Sequence, residues 1–131
     1  MNEMGTIDDF GKLDIRIGKI VSVEKAANTD KLLILQVDFG SEPEGRDRLR
    51  TELSERSGDK RGKNIRQIVS GIAQWYTPED LVGKECPFIV NLEPRTFRGI
   101  ESQGMLVATE AEGGAVLLHP DKEVPEGSRI K

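Results

Sequence analysis

Residues 65–92 read "IRQIVSGIAQWYTPEDLVGKECPFIVNL" and predict a short helix between two strands. The stretch opens with the β-branched side chains typical of a strand and closes on a second run of the same kind. Between them, Thr77 can cap a helix, Pro78 suits its first turn and Gly83 can end it. The spacing leaves room for one or two helical turns.

Strand patterns also flank this stretch on both sides. "LDIRIGKIVSVEK" at 13–25 alternates apolar and polar residues, and Gly18 marks a change of phase, so we expect a strand with a glycine bend or bulge. "LLILQVDFG" at 32–40 predicts a mostly buried strand, and "MLVAT" at 105–109 predicts the last one. Residues 115–131 are expected to add a small β appendage.

The resulting order is three strands, a short helix and two strands. That is the order of the OB-fold, a small barrel whose strand face and loops hold oligonucleotides or oligosaccharides. We therefore predict an all-β fold: an OB-fold five-stranded barrel with a short helix between strands 3 and 4 and a small C-terminal β appendage. Because 131 residues suit one core, residues 1–131 are expected to form a single domain.

A polar excursion at about 41–64 interrupts the strand patterns. The whole chain has a formal net charge of −4, which argues against general attraction to nucleic acid. The excursion and its surroundings nevertheless carry a local excess of basic residues, so a basic face is compatible with the acidic total. Four of them form a possible auxiliary basic patch: Lys60, Arg61, Lys63 and Arg66.

Several classes of function are disfavoured by what the sequence lacks. One cysteine and one histidine, Cys86 and His119, give no metal set and no His-based triad, and no complete phosphate-loop motif occurs. We therefore predict no catalytic residues, no metal and no cofactor. The apolar runs are too short to cross a bilayer, so we expect no membrane association and a cytoplasmic protein.

The stretch "RTFRGIESQGM" at 95–105 has neither strand alternation nor helical spacing, and we interpret it as a recognition loop. Arg95 and Arg98 offer forked guanidinium donors that suit phosphate or carboxylate, while Ser102 and Gln103 offer neutral donors and acceptors. Its glycines let the backbone bend or another molecule come close.

Five blocks, taken together, resemble the tRNA-binding domain family. They are "DFGKLDIRIGKIVSVE", "NTDKLLILQVDFG", "RQIVSGIAQWYTPEDLVGK", "VNLEPRTFRGIESQGM" and "VPEGSRIK". This family includes the C-terminal domain of many methionyl-tRNA synthetases and free-standing tRNA-binding proteins. The resemblance covers nearly all of residues 8–131 except 41–64. It implies an OB-fold without chemistry of its own, recognition of tRNA by shape, and a homodimer.

The family's binding positions carry over to two segments of this chain. The tRNA-binding residues implied by the resemblance are Asn28, Asp30, Lys31, Arg95, Arg98, Ser102, Gln103 and Met105. Asn28 and Asp30 alternatively close only their own turn, and Met105 alternatively belongs to the core. Family members often have His-Pro at Ala26 and Ala27, and often lysine at Gln74, Glu93 and Thr96, so this chain lacks basic groups there.

Two other partners remain open beside free tRNA. The domain is alternatively an accessory (beta) subunit of methionyl-tRNA synthetase, which changes only its partner. CsaA-type secretion chaperones, dimers that bind unfolded polypeptide, also resemble this chain at "IDDFGKLDIR" and "VLLHPDKEVPEGSRIK", while "GIESQGM" favours the tRNA-binding members. The apolar Val116, Leu117 and Leu118 exceed what one barrel needs, which favours a homodimer.

Overall fold

The computed structural model describes residues 4–27, 29–41 and 63–131. Strands dominate this part of the chain. The elements are α1 (Ile7–Gly11), β1 (Ile15–Lys25), β2 (Leu33–Ser41), β3 (Lys63–Ser70), α2 (Pro78–Leu81), β4 (Glu85–Ile89), β5 (Arg95–Phe97), β6 (Ile100–Ser102), β7 (Met105–Leu106), β8 (Ala108–Ala111) and β9 (Gly114–Leu117).

Five of the strands form one antiparallel sheet in the order β3-β2-β1-β4-β7. The sheet curls into a half-barrel, and α2 lies between β3 and β4 as the sequence predicts. The strands β5 and β6 form one separate hairpin, and β8 and β9 form another. The OB-like fold with a C-terminal β appendage is thereby confirmed.

Alternation along β2 explains why the barrel has a single core. Leu33, Leu35 and Val37 are fully buried, and Ile68 from β3 and Phe88 from β4 meet them inside. A strand with a period of two places these side chains on one face, which is the face the curled sheet encloses. Burying these apolar groups supplies most of the stabilisation of such a domain.

The irregularity in β1 lies slightly later than expected. We predicted it at Gly18, but the register with β2 shifts between Ile20 and Ser22. Gly18 has a packing role instead, because a Cβ there would fall 2.6 Å from the Phe39 ring. The glycine is required for close approach inside the barrel, and the bulge re-aims the second half of the strand.

The segment predicted as one strand at 105–109 serves two sheets. Met105 and Leu106 form β7 against β4, whereas Ala108 pairs with Leu117 in the appendage. Leu117 points into the core, and only Val116 and Leu118 of the predicted apolar excess are exposed, at 41% and 40%. The change of partner after Val107 ends the barrel strand early.

The helix α1 was not predicted, although its cap is visible in the sequence. The N–H of Asp9 donates to Thr6 Oγ1 over 3.1 Å, and the N–H of Thr6 donates to Asp9 Oδ2 over 2.9 Å. This reciprocal pair is a capping box. Among the described residues, no helix has the length and apolar character needed to cross a membrane.

The last residues of the chain lie along the free edge of the first half of β1. The N–H of Ile17 donates to the Ser128 carbonyl over 2.8 Å, and the N–H of Gly127 donates to the Ile17 carbonyl over 2.7 Å. The N–H of Ile130 donates in turn to the Ile15 carbonyl over 2.8 Å. The tail thus takes the place of a sheet neighbour where β2 has turned away.

Candidate nucleic-acid interface

The predicted recognition loop is a β-hairpin. Arg95 pairs with Ser102 and Phe97 pairs with Ile100, which leaves Arg98 and Gly99 as a two-residue turn. Their φ angles are 52° and 83°, both in the left-handed region. This is the backbone that a type I′ turn requires, and it matches the twist of the two flanking strands. The expectation of a loop was therefore wrong, because three-residue strands are too short to show alternation.

Both arginines of this hairpin face solvent. The Arg95 guanidinium lies 5.2 Å from the centroid of the Phe97 ring, so a cation–π contact holds it over the hairpin. Arg98 occupies the tip, in a conformation that costs a non-glycine residue energy. The hairpin therefore presents two positive charges to solvent, and we call it the arginine hairpin.

Ser102 and Gln103 attach the arginine hairpin to the open edge of β3. Ser102 is 2% exposed; its Oγ accepts from the Val69 N–H over 2.9 Å and donates to the Gly104 carbonyl over 3.0 Å. The N–H of Gln103 donates to the Gln67 carbonyl over 2.7 Å, and its Oε1 accepts from the Gln67 N–H over 3.0 Å. These two side chains close the seam of the barrel, and their contact with tRNA stays a prediction.

Gln67 is a residue that the sequence analysis missed. Its Nε2 donates to the Glu101 carbonyl over 2.8 Å, and its Oε1 accepts from Gln36 Nε2 over 3.2 Å. A row of amides therefore joins β2, β3 and the hairpin. The available signal was a polar glutamine directly before the buried Ile68 and Val69, but its partner depends on where the hairpin docks.

The other predicted segment, between β1 and β2, also lies beside the end of β3. Asp30 and Lys31 are exposed, and the Lys31 carbonyl accepts from the Ala73 N–H over 3.2 Å. The N–H of Lys31 donates to Thr29 Oγ1 over 3.1 Å, which rigidifies the turn. Asn28 lies outside the described residues. Two predicted segments thus meet the same half of β3.

Met105 is 50% exposed at the start of β7, so it is not a core residue. The auxiliary basic patch is not assembled by the described residues. Lys60 and Arg61 lie outside them, and the backbone of Lys63 pairs with Ser41. The Arg66 guanidinium donates to the Val90 carbonyl over 2.6 Å, which directs it across the barrel. A shared role for the four basic residues stays a prediction.

Comparison with known proteins identifies the family. The model of a family described as a putative tRNA binding domain matches residues 58–129, which include the arginine hairpin and its seam. The chain belongs to this tRNA-binding domain family. It is also 44% identical over 125 residues to a methionine–tRNA ligase of Archaeoglobus fulgidus, covering 95% of the chain and 16% of the ligase. The domain thus spans about a sixth of the length of that relative.

Solved structures give the same fold for two kinds of protein. The domain superposes on a MetRS-related protein from Pyrococcus horikoshii with a TM-score of 0.77 and 37% identity, covering 99% of this chain and 100% of that one. The chaperone CsaA from Bacillus anthracis gives a TM-score of 0.74 and 28% identity, covering 98% and 100%. A MetRS-related protein and a chaperone therefore share the architecture, and the match to the tRNA-binding family favours relationship to the first.

Proposed function

We propose that this domain binds tRNA through the arginine hairpin and the neighbouring loop at 26–32. The observation that carries the proposal is the hairpin itself, which exposes Arg95 on β5 and Arg98 in its turn and is attached to β3 through Ser102. Guanidinium groups suit phosphate, and a structured RNA is recognised largely through its backbone and shape.

Exposed guanidinium groups offer an acidic protein contacts for a polyanion. Residues 93–103 carry two glutamates, Glu93 and Glu101, beside Arg95 and Arg98, but both arginines are exposed. A guanidinium that neutralises an RNA phosphate releases a counterion condensed on the RNA, and this release favours binding at low salt. Binding should therefore depend on a few positions and weaken as salt rises, with a slope set by the number of phosphate contacts.

The domain acts without chemistry of its own. Burial raises the pKa of the Cys86 thiol to about 11, so the thiolate is disfavoured at neutral pH. His119 Nδ1 lies 2.7 Å from the Glu85 carbonyl, which can only accept, so this nitrogen carries its proton. The cysteine and the histidine of this chain are thus used to hold the C-terminal tail against β4.

A homodimer is part of the proposal, and α1 supports it. This five-residue helix has no buried residue, and a helix of that length is not stable in water without packing. Its first residue, Ile7, is 81% exposed, and the nearby Met4 is 92% exposed. A second copy would cover these apolar groups, and a monomeric mass in light scattering would contradict the dimer.

Its biological partner is proposed from the relatives. Because the domain is similar to a segment of a methionine–tRNA ligase and to a free-standing MetRS-related protein, we propose that it increases the tRNA affinity of a methionyl-tRNA synthetase. Co-elution with that enzyme, and a lower tRNA dissociation constant for the mixture, is the expected result. If the domain and the enzyme bound tRNA independently and did not co-elute, the role of the domain would be limited to binding tRNA.

Fluorescence anisotropy of labelled bulk tRNA tests the binding proposal. Replacing both Arg95 and Arg98 by alanine should reduce the salt slope by about 2 and the affinity about 60-fold at 0.1 M salt, since each phosphate contact contributes about 0.9 to the slope. The matched control replaces Lys84 and Lys122, two exposed lysines; Lys84 directly precedes β4, at the end of that strand opposite the arginine hairpin. Equal losses in both variants, or no saturable binding, would contradict the proposal.

Binding of unfolded polypeptide is the second candidate, and one observation favours it. A groove of about 400 Å³ beneath the C-terminal tail is lined mainly by apolar side chains, among them Pro87, Leu118, Val124 and Ile130. Suppression of aggregation by the wild type and its loss in Leu118→Glu would support this candidate. Together with the absence of saturable tRNA binding, that result would replace the first proposal.

A further inference from the structure

Trp75 is an exposed aromatic side chain that does not belong to the hydrophobic core of the barrel. The chain has one tryptophan, and 46% of it is exposed, although indole is among the side chains that gain most from burial. It belongs to the segment between β3 and α2. The N–H groups of Trp75 and Tyr76 both donate to the Ile72 carbonyl, over 3.0 and 3.1 Å, so the backbone beneath the indole is ordered.

A glycine of the appendage supports the ring from behind. A Cβ added at Gly114 would lie 2.6 Å from Trp75 Nε1 and 2.8 Å from Cδ1, so only glycine lets the β9 backbone approach the five-membered ring. The next residue, Tyr76, accepts a hydrogen bond from the Leu117 N–H through its hydroxyl, over 3.2 Å. The appendage therefore supports the indole through Gly114, while nearly half of the residue stays exposed.

The surroundings of Trp75 connect it to the proposed RNA-binding surface. Ala73, two residues before it, donates its N–H to the Lys31 carbonyl over 3.2 Å. The N–H of Val69, near the end of β3, donates to the Oγ of Ser102 in the arginine hairpin. The indole thus follows directly on the part of β3 where both predicted binding segments meet. An aromatic face beside phosphate-binding cations is the combination that holds unpaired nucleotides.

The exposed apolar residues near α1 lie at the end of the barrel opposite Trp75. The Asn91 side chain bridges α1 and the start of β1, whereas Trp75 adjoins the loop after the end of β1. The strand between them has 11 residues, which corresponds to roughly 30 Å along an extended strand. The indole is therefore separate from the surface proposed for dimerisation.

We propose that Trp75 stacks on an unpaired nucleobase of the bound tRNA. This inference rests on the proposed function and adds a single-stranded contact to phosphate recognition by the arginine hairpin. Stacking is tolerant of base identity because every base has a π face, so the contact selects an exposed nucleotide rather than a sequence. Lys31 is placed to neutralise the phosphate of that nucleotide or of its neighbour.

Intrinsic fluorescence tests the inference, because Trp75 is its own reporter. Bulk tRNA is titrated into the wild type while emission is recorded, and the anisotropy of labelled tRNA is followed in parallel. Stacking should quench the emission with the same midpoint as the anisotropy change. A blunt RNA duplex without unpaired bases should change the anisotropy of its own label but leave the emission unquenched.

Two variants separate stacking from a structural role. Trp75→Ala should weaken tRNA binding about 5-fold to 150-fold, corresponding to the loss of one stacked base, while Trp75→Phe should restore most of the affinity. Circular dichroism of both variants checks that the fold is retained. The readout that a purely structural role would not give is weaker binding of tRNA by Trp75→Ala at unchanged affinity for the duplex, because the duplex offers no unpaired base.

The outcomes distinguish the inference from the function on which it rests. Saturable tRNA binding without quenching, and with unchanged affinity in Trp75→Ala, would overturn the stacking inference and leave tRNA binding in place. No anisotropy change at all would overturn both. A shift of emission with reduced, unfolded polypeptide but not with tRNA would assign Trp75 to the chaperone candidate and overturn the stacking inference.

Discussion

Replacing Arg98 by asparagine should make the domain more stable and a weaker tRNA binder. Arg98 has a φ of 52° in a turn whose two central residues both lie in the left-handed region. That conformation costs an ordinary L-residue roughly 1–2 kcal/mol, whereas asparagine followed by glycine is the preferred pair for a type I′ turn. The present arginine is therefore a poor choice for folding, and its proposed binding role rests on its exposed guanidinium at the tip of the hairpin.

The magnitudes follow from the turn and from the charge. Relief of about 1 kcal/mol should raise the melting temperature by roughly 3–5 °C in a domain of this size. Loss of one phosphate contact should lower the salt slope by about 0.9 and the affinity about eightfold at 0.1 M salt. Thermal unfolding by circular dichroism and tRNA anisotropy at several salt concentrations measure the two effects on the same protein.

The appendage provides a matched control. Glu112 and Gly113 form a second two-residue turn, with φ angles of 53° and 81°, between the paired residues Ala111 and Gly114. Glu112→Asn should give a similar gain in melting temperature without loss of tRNA affinity. If Arg98→Asn left both affinity and salt slope unchanged, the arginine would not contact phosphate; if it lowered the melting temperature, the interpretation of the turn would be refuted.

Two further predictions concern groups inside the fold. Ser102→Ala should lower the free energy of unfolding by about 1–3 kcal/mol in urea titrations, because the Val69 N–H loses its partner. The salt slope of tRNA binding should stay unchanged. Weaker binding at unchanged stability would instead assign Ser102 to the RNA. Burial raises the pKa of Cys86 from 9.0 to about 11, so the thiol should resist a thiol reagent at pH 8 until urea unfolds the protein. The stabilisation that comes from this raised pKa is complete below pH 9 and should be lost as the pH rises towards 11. Rapid labelling of the native protein would contradict the burial of the thiol.

The order of the barrel strands was predictable because it depends on local patterns. Alternation in β2 reports its buried face directly, and the cap, proline and glycine of residues 77–83 report the helix between β3 and β4. The arginine hairpin was not predictable in this way. Its strands have three residues each, and Arg98-Gly99 lacks the asparagine that usually signals a type I′ turn.

The candidate site was predicted in its residue types more than in its geometry. Arg95, Arg98 and Lys31 are exposed as expected, which is compatible with phosphate contact. Ser102 is used inside the fold, because its partner on β3 is more than 30 positions away and no local pattern reveals it. Trp75 lies on a segment expected only to lead into a helix, and its support by Gly114 depends on the path of the appendage.

The tail along β1 has a consequence for how the protein folds. Ile17 and Gly127 are about 110 positions apart in the chain, yet they are hydrogen-bonded neighbours. Contacts of such separation close late, because a long segment loses its freedom before the bond forms, and they slow folding. During synthesis at about 5–20 residues per second, the edge of β1 waits on the order of 5–20 s for its partner. Over that interval a nascent β1 is open to other strands, so the domain's exposure to misassembly is determined by its last residues.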